Sequence, residues 1–104
     1  MIEITKENFE KEVIQSSVPV IIDFWGPQCV PCMALKPQVE ALEHQNINRF
    51  KIAAVEAPKN RRLCLELKVL SLPTFLFYKD GKEVERMSGN VTLHAVQEAA
   101  EKLV

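Results

Sequence analysis

The sequence predicts an α/β fold, a mixed central β-sheet flanked by helices with its elements in the order βαβαβαββα. Three observations point there. Val18 to Trp25 is an almost continuous apolar run rich in β-branched and aromatic residues, the pattern of a strand buried on both faces between parallel neighbours. Strand-like and helix-like patterns then alternate through the first part of the chain, as in parallel crossover units. Finally, Asp80-Gly81 separates two strand-like runs, a hairpin signal that makes the last two strands antiparallel.

Each element has its own local reason. Ile2 and Ile4 suit a short edge strand, and Thr5 is placed to cap a first helix over about Lys6 to Gln15 with Phe9, Val13 and Ile14 on one face. In the buried run that follows, Asp23 is the anomaly. Gly26-Pro27 signals a turn, after which Met33, Leu35, Val39 and Leu42 mark a helix from about Val30 to Gln45. Pro37 lies inside that helix and is expected to kink it. Arg49 to Val55 reads as a strand, and Lys59 to Lys68 as a short helix with Leu63 and Leu67 on one face. Thr74 to Lys79 and Lys82 to Met87 flank the hairpin turn, and Val91 to Leu103 closes the chain as an amphipathic helix. Internal repeats, low-complexity tracts and linkers are absent.

With 104 residues, 47% of them hydrophobic and 26% charged, the chain reads as one domain over residues 1–104, with room for a real core but not for a second domain. Thirteen basic against fourteen acidic residues leave a net charge of -1, which nominates neither nucleic acid nor an anionic membrane as a partner. The run Val18 to Ile22 stops at Asp23, far short of the roughly 20 residues that span a bilayer. Glu3, Glu7 and Glu10 stand where a signal peptide would be basic and then apolar. A cytoplasmic monomer is the expectation.

Three cysteines is an odd number for a disulfide scaffold. Two of them sit in Trp25-Gly26-Pro27-Gln28-Cys29-Val30-Pro31-Cys32, which runs from a buried strand through a turn into a helix. Pro31 belongs in a first helical turn, where its missing N–H is no loss. Cys29 then falls at or near the N-cap, where free backbone N–H groups and the helix dipole favour a thiolate. That makes Cys29 the expected nucleophile. Cys32, one turn on, lies close enough to form a disulfide with it and is the expected resolving thiol. Such a pair exchanges disulfides through a mixed-disulfide intermediate and needs no metal or organic cofactor. Half a zinc site is the competing reading, but Cys64, His44 and His94 have no ligand-like spacing. Cys64 reads as a small core residue, His44, His94 and Arg61-Arg62 as solvated surface, and Phe24, Phe75 and Phe77 as core aromatics.

Over essentially its whole length the sequence resembles the thioredoxin family. The resemblance rests on Asp23-Phe24-Trp25, the Cys-x-Pro-Cys motif at Cys29 to Cys32, Pro37, Leu72-Pro73-Thr74, the Asp80-Gly81 hairpin and Gly89. It implies the thioredoxin fold and a thiol-disulfide oxidoreductase acting on protein disulfides, recharged by a thioredoxin reductase or another electron donor. It also implies that Asp23 is a buried carboxylate that moves a proton to or from Cys32. Pro73 is implied to be a cis proline beside the disulfide, with Leu72 offering backbone hydrogen bonds to an extended substrate. Trp25, Val30 and Pro31 complete the implied substrate surface.

Four positions depart from the family's commonest pattern: Gln28, Val30 and Met33 around the cysteines, and Ala54 where a lysine usually stands on the strand beside the buried carboxylate. Without that lysine, the pKa of Asp23 is expected to rise further. Val30 stiffens the loop between the cysteines, and Gln28 and Met33 change the surface that a reductase would meet. A thiol oxidase or isomerase is the close alternative, and a noncatalytic binding module on the same fold is the alternative from another class. Retention of both cysteines and Asp23 argues against the module.

Overall fold

Five of the six residues of β2 (Val20–Trp25) are buried, which requires cover on both faces and neighbours on both edges. The computed structural model, which describes residues 1–104, supplies both. β1 (Ile2–Glu3), β3 (Lys51–Glu56), β2, β4 (Thr74–Lys79) and β5 (Lys82–Ser88) lie in that order in one sheet. β1 and β2 run parallel to β3, whereas β4 is antiparallel to β2 and β5 antiparallel to β4. The predicted mixed sheet and element order are therefore present.

Because strand side chains alternate between faces, the sheet feeds two apolar layers. Ile21, Ile52, Phe75 and Phe77 pack on one face against Leu35, Val39 and Leu42 of α1 (Val30–Gln45) and Val96 and Ala100 of α3 (Leu93–Glu101). Ile22, Phe24, Val55 and Leu76 pack on the other against Val13 and against Leu63 and Cys64 of α2 (Arg61–Glu66). Phe24, Phe75 and Phe77 are core aromatics, each fully buried.

The N-terminal helix departs from expectation. Instead of an α-helix from Lys6, a single π-type turn spans Glu10–Ile14, closed by the Gln15 N–H on the Glu10 carbonyl at 2.9 Å. Nor does the Thr5 side chain cap it. Asn8 reaches back instead, its side-chain oxygen accepting from the Thr5 N–H at 2.8 Å and its amide donating to the Glu3 carbonyl at 3.0 Å. Asn side chains compete in this way for backbone groups that an α-helix would otherwise use.

Boundaries elsewhere shift for similar local reasons. Arg49 and Phe50 do not open β3, because both backbone N–H groups bind the Asn46 carbonyl in a turn at 2.9 and 3.3 Å. The expected helix from Lys59 divides into a 3₁₀ turn, Ala57–Lys59, and α2. It stops at Glu66 because Lys68 takes a left-handed φ of 58°, and Arg86 of β5 donates to the Leu67 and Lys68 carbonyls at 2.8 Å each. Val91 lies outside α3, whose N-cap is Thr92, accepting from the Ala95 N–H at 3.1 Å.

The hairpin turn uses positive φ at both Asp80 (53°) and Gly81 (78°), the backbone of the primed turns that suit strand twist. A Cβ on Gly81 would also meet the Ile14 carbonyl oxygen at 3.0 Å. Gly81→Ala is therefore expected to lower the unfolding free energy by about 1–2 kcal/mol from backbone strain alone. Urea unfolding checks this, and an unchanged midpoint would contradict it.

Candidate active site

The site begins where β2 ends. Gly26 is buried, its carbonyl accepts the Cys29 N–H at 3.0 Å, and the chain reverses over Pro27 and Gln28 into α1. Cys29 is the N-cap of α1, with extended backbone (φ -90°, ψ 102°), and Pro31 sits in the first turn. Of the amides opened by that turn, the Cys32 N–H donates to Cys29 Sγ at 3.3 Å and the Met33 N–H to the Cys29 carbonyl at 3.0 Å. A helix start thus aims an amide dipole at one sulfur, the arrangement that favours a thiolate over a thiol.

Cys29 and Cys32 form a disulfide with their Cα atoms 5.3 Å apart. Their exposures differ: Cys29 is half-buried, whereas Cys32 retains 2% of its surface. Cys29 is thus the more accessible of the two, and access is one of the factors that decide which sulfur of a pair takes part in exchange. Val30 (78% exposed) and Met33 (41%) present apolar surface beside the bond.

Asp23 is 3% exposed. It shares a strand face with Ile21, which packs in the same layer as Leu35 and Val39, so its carboxyl lies on the side of the sheet that α1 covers. Its partners across the sheet are Ala54 on β3 and Phe75 on β4, neither of which carries charge. Burial pushes its pKa up from 3.8 to about 7, since a carboxylate loses its hydration there.

As expected, the uncharged Ala54 stands opposite Asp23, whose pKa is raised. The cation not anticipated from the sequence is Lys36 of α1, one turn after Cys32, which pulls that pKa down against burial. Its ammonium sits 4.2 Å from the centroid of the Trp25 ring, a cation–π contact that holds the charge over the end of β2. The signal in the sequence was the four-residue spacing from Cys32, which puts Lys36 on the same helical face.

The Leu72-Pro73 peptide is cis. Leu72 is half-buried, and its Cδ1 lies 3.3 Å from where a Cβ on Gly26 would stand. That contact joins the segment before β4 to the disulfide turn, and it makes Gly26 a close-approach glycine that the turn signal alone did not identify. The backbone N–H and C=O of Leu72 make no hydrogen bond with the rest of the chain. Trp25 lies at the end of β2, Val30 and Pro31 in the first turn of α1, and Leu72 and Pro73 in the segment before β4, which meets the disulfide turn at Gly26.

Other candidates lie elsewhere. Cys64 is free and buried in the opposite layer, where burial pushes its thiol pKa up, the environment of a structural cysteine. His44, His94, Arg61 and Arg62 are exposed.

Comparison with known proteins agrees with this geometry. The family model described as Thioredoxin matches residues 1–102. The chain is 38% identical over 88 residues to Thioredoxin of Acetoanaerobium sticklandii, covering 85% of this chain and 84% of that one. It is 34% identical over 88 residues to Thioredoxin 1 of Synechococcus elongatus (85% and 82%). Against Thioredoxin 1 of a Nostoc species it is 31% identical over 100 residues (96% and 94%).

Proposed function

The chain belongs to the thioredoxin family and is a thiol-disulfide oxidoreductase that reduces disulfides, and from that premise we propose how its own residues divide the work. Cys29 thiolate attacks one sulfur of a protein disulfide; the substrate S–S bond breaks, a mixed disulfide forms, and the first substrate thiolate leaves. Cys32 gives its proton to the Asp23 carboxylate and attacks Cys29 Sγ as a thiolate. The second substrate thiolate departs with the electron pair, and the Cys29–Cys32 bond of the oxidised protein forms. With a pKa of about 7, Asp23 is divided between its two protonation states near neutrality, as a group that must both take and return a proton requires.

Trp25, Val30, Pro31, Leu72 and Pro73 form the surface on which the substrate chain lies. Leu72 supports this most directly, through backbone groups left unpaired inside the chain. A reductase of the kind that serves thioredoxins returns two electrons and two protons, and it meets Gln28 and Met33 at the rim of the turn. The protein acts as a single domain over residues 1–104 and as a monomer in the cytoplasm. No helix is long and apolar enough to cross a membrane.

The observation that carries the division of roles is the unequal exposure of the two sulfurs at the helix start. Its test is the Cys32→Ser variant incubated with oxidised protein substrates. Covalent adducts on Cys29 that dithiothreitol releases are expected. Partners held only noncovalently, or adducts that persist when Cys29 is also replaced, would overturn the assignment and favour a docking module.

A further inference from the structure

The chain between α2 and β4, residues 67–73, belongs to no helix or strand, yet it carries Leu72 and Pro73 to the disulfide turn. A segment of this kind is placed by whatever hydrogen bonds reach its backbone. At its start Lys68 bends the chain with a left-handed φ of 58°, a conformation that residues other than glycine adopt at a cost. The Leu67 and Lys68 carbonyls meet β5 at this bend, where the Arg86 guanidinium donates to both at 2.8 Å each. Neither carbonyl accepts any other hydrogen bond from the chain.

Arg86 is itself held. Its Nε and Nη2 donate to the two carboxylate oxygens of Glu83 at 2.7 and 2.9 Å, so the planar fork has a fixed direction when it meets the carbonyls. That pairing keeps the Glu83 carboxyl below the usual carboxylate range. Arg86 stands opposite Leu76 across the sheet, on the face where Leu76 and Val69 share a core layer. The far end of the segment hangs from the same side of the sheet. Gly89, just past β5, donates its N–H to the Pro73 carbonyl at 3.2 Å. Ser88 Oγ lies 3.0 Å from Thr74 Oγ1, which donates to the Ser71 carbonyl at 2.6 Å. Between these two attachments Leu72 keeps its backbone groups free and its Cδ1 against Gly26. Arg86 is the only side chain that hydrogen-bonds residues 67–70.

We propose that Arg86, held by Glu83, is a positioning residue for protein disulfide exchange: by gripping the Leu67 and Lys68 carbonyls it sets where Leu72 presents its backbone to a substrate chain. It acts through the segment and plays no part in the exchange of sulfurs. Its removal weakens the binding of protein disulfides and spares a small disulfide, which has no backbone to place. The inference rests on the reading that Leu72 binds the substrate chain.

The test follows reduction of insulin disulfides and of a small aromatic disulfide by the full chain, with dithiothreitol as electron donor, together with amide hydrogen exchange at Val69. That amide reports on the segment directly, because it binds the Cys64 carbonyl at 2.8 Å just past the bend. Arg86→Gln is expected to raise KM for insulin by on the order of tenfold with kcat unchanged. The small disulfide should be unaffected, and Val69 should exchange faster by on the order of tenfold. Arg86→Lys keeps the charge without the fork and should retain most of the rise in KM. Glu83→Gln leaves Arg86 in place but frees its guanidinium, and a few-fold rise is expected; this variant decides the matter if Arg86→Gln does not fold. The double variant should match Arg86→Gln alone, because both act through one grip. Equal losses on both substrates, full recovery by lysine, or Val69 exchange as slow as in the wild type would overturn the inference. Faster Val69 exchange with an unchanged KM would instead sink the reading that Leu72 binds substrate, and the inference with it.

Discussion

Cys29→Ser is expected to reduce disulfide exchange to the uncatalysed background. Serine keeps the N-cap acceptor for the Cys32 N–H, but its hydroxyl does not ionise near neutrality and cannot form a mixed disulfide. Loss of the nucleophile costs a covalent catalyst about a millionfold where it has been measured in a protease, so no residual turnover above buffer thiol chemistry is anticipated. Because Cys29 is half-buried and the capping hydrogen bond is retained, the fold should survive. Unchanged far-UV circular dichroism with no reduction of insulin disulfides is the expected pair of readings. Cys32→Ser behaves differently: it still attacks and stalls as an adduct. Substantial turnover by Cys29→Ser would refute the assigned roles.

The second large effect concerns Asp23. In the oxidised protein its pKa stands at about 7 against 3.8 for the ordinary side chain, so between those values the folded state binds more protons than the unfolded state. Stability therefore falls as pH rises through this window and levels off above about 7. At 1.36 kcal/mol per unit of pKa, the penalty above that point approaches about 4 kcal/mol. Asp23→Asn removes the charge and keeps the shape. It should leave unfolding unchanged at about pH 3 and stabilise the oxidised protein by up to about 4 kcal/mol at about pH 8. Urea titrations across that range decide it, and a gain independent of pH would sink the linkage. Lys36→Gln moves the other way, raising the pKa of Asp23 and carrying the window upward, because the favourable charge over Trp25 is gone. In turnover, Asp23→Asn should slow the step in which Cys32 attacks by about a hundredfold, the low end of what a general base supplies. Formation of the mixed disulfide should be spared.

Local chemistry fixed much of this in advance. An apolar run with one acid in it can be buried only as a central strand. A proline two residues after a cysteine, following a turn, sets a helix start with sulfur at the cap, and Asp-Gly between strands sets a hairpin. The α1 boundaries were legible to the residue because proline at the start and the apolar periodicity agree. The first helix was not, since the Asn8 side chain competes with the backbone and that competition leaves no periodic trace. The α2 boundary was hidden too, because the group that terminates it is Arg86, eighteen residues beyond Lys68.

By itself, then, the sequence determined the disulfide pair, which cysteine caps the helix, the acid buried behind it and the antiparallel pairing of the last two strands, all of which follow from neighbours within a turn or a strand. Only the tertiary structure decided what surrounds them. It placed Lys36 over Trp25 to answer the charge that Ala54 leaves unmet, seated Leu72 against Gly26, and brought Arg86 onto the Leu67 and Lys68 carbonyls. Those outcomes depend on where separate segments meet in space, a property that sequence spacing does not encode.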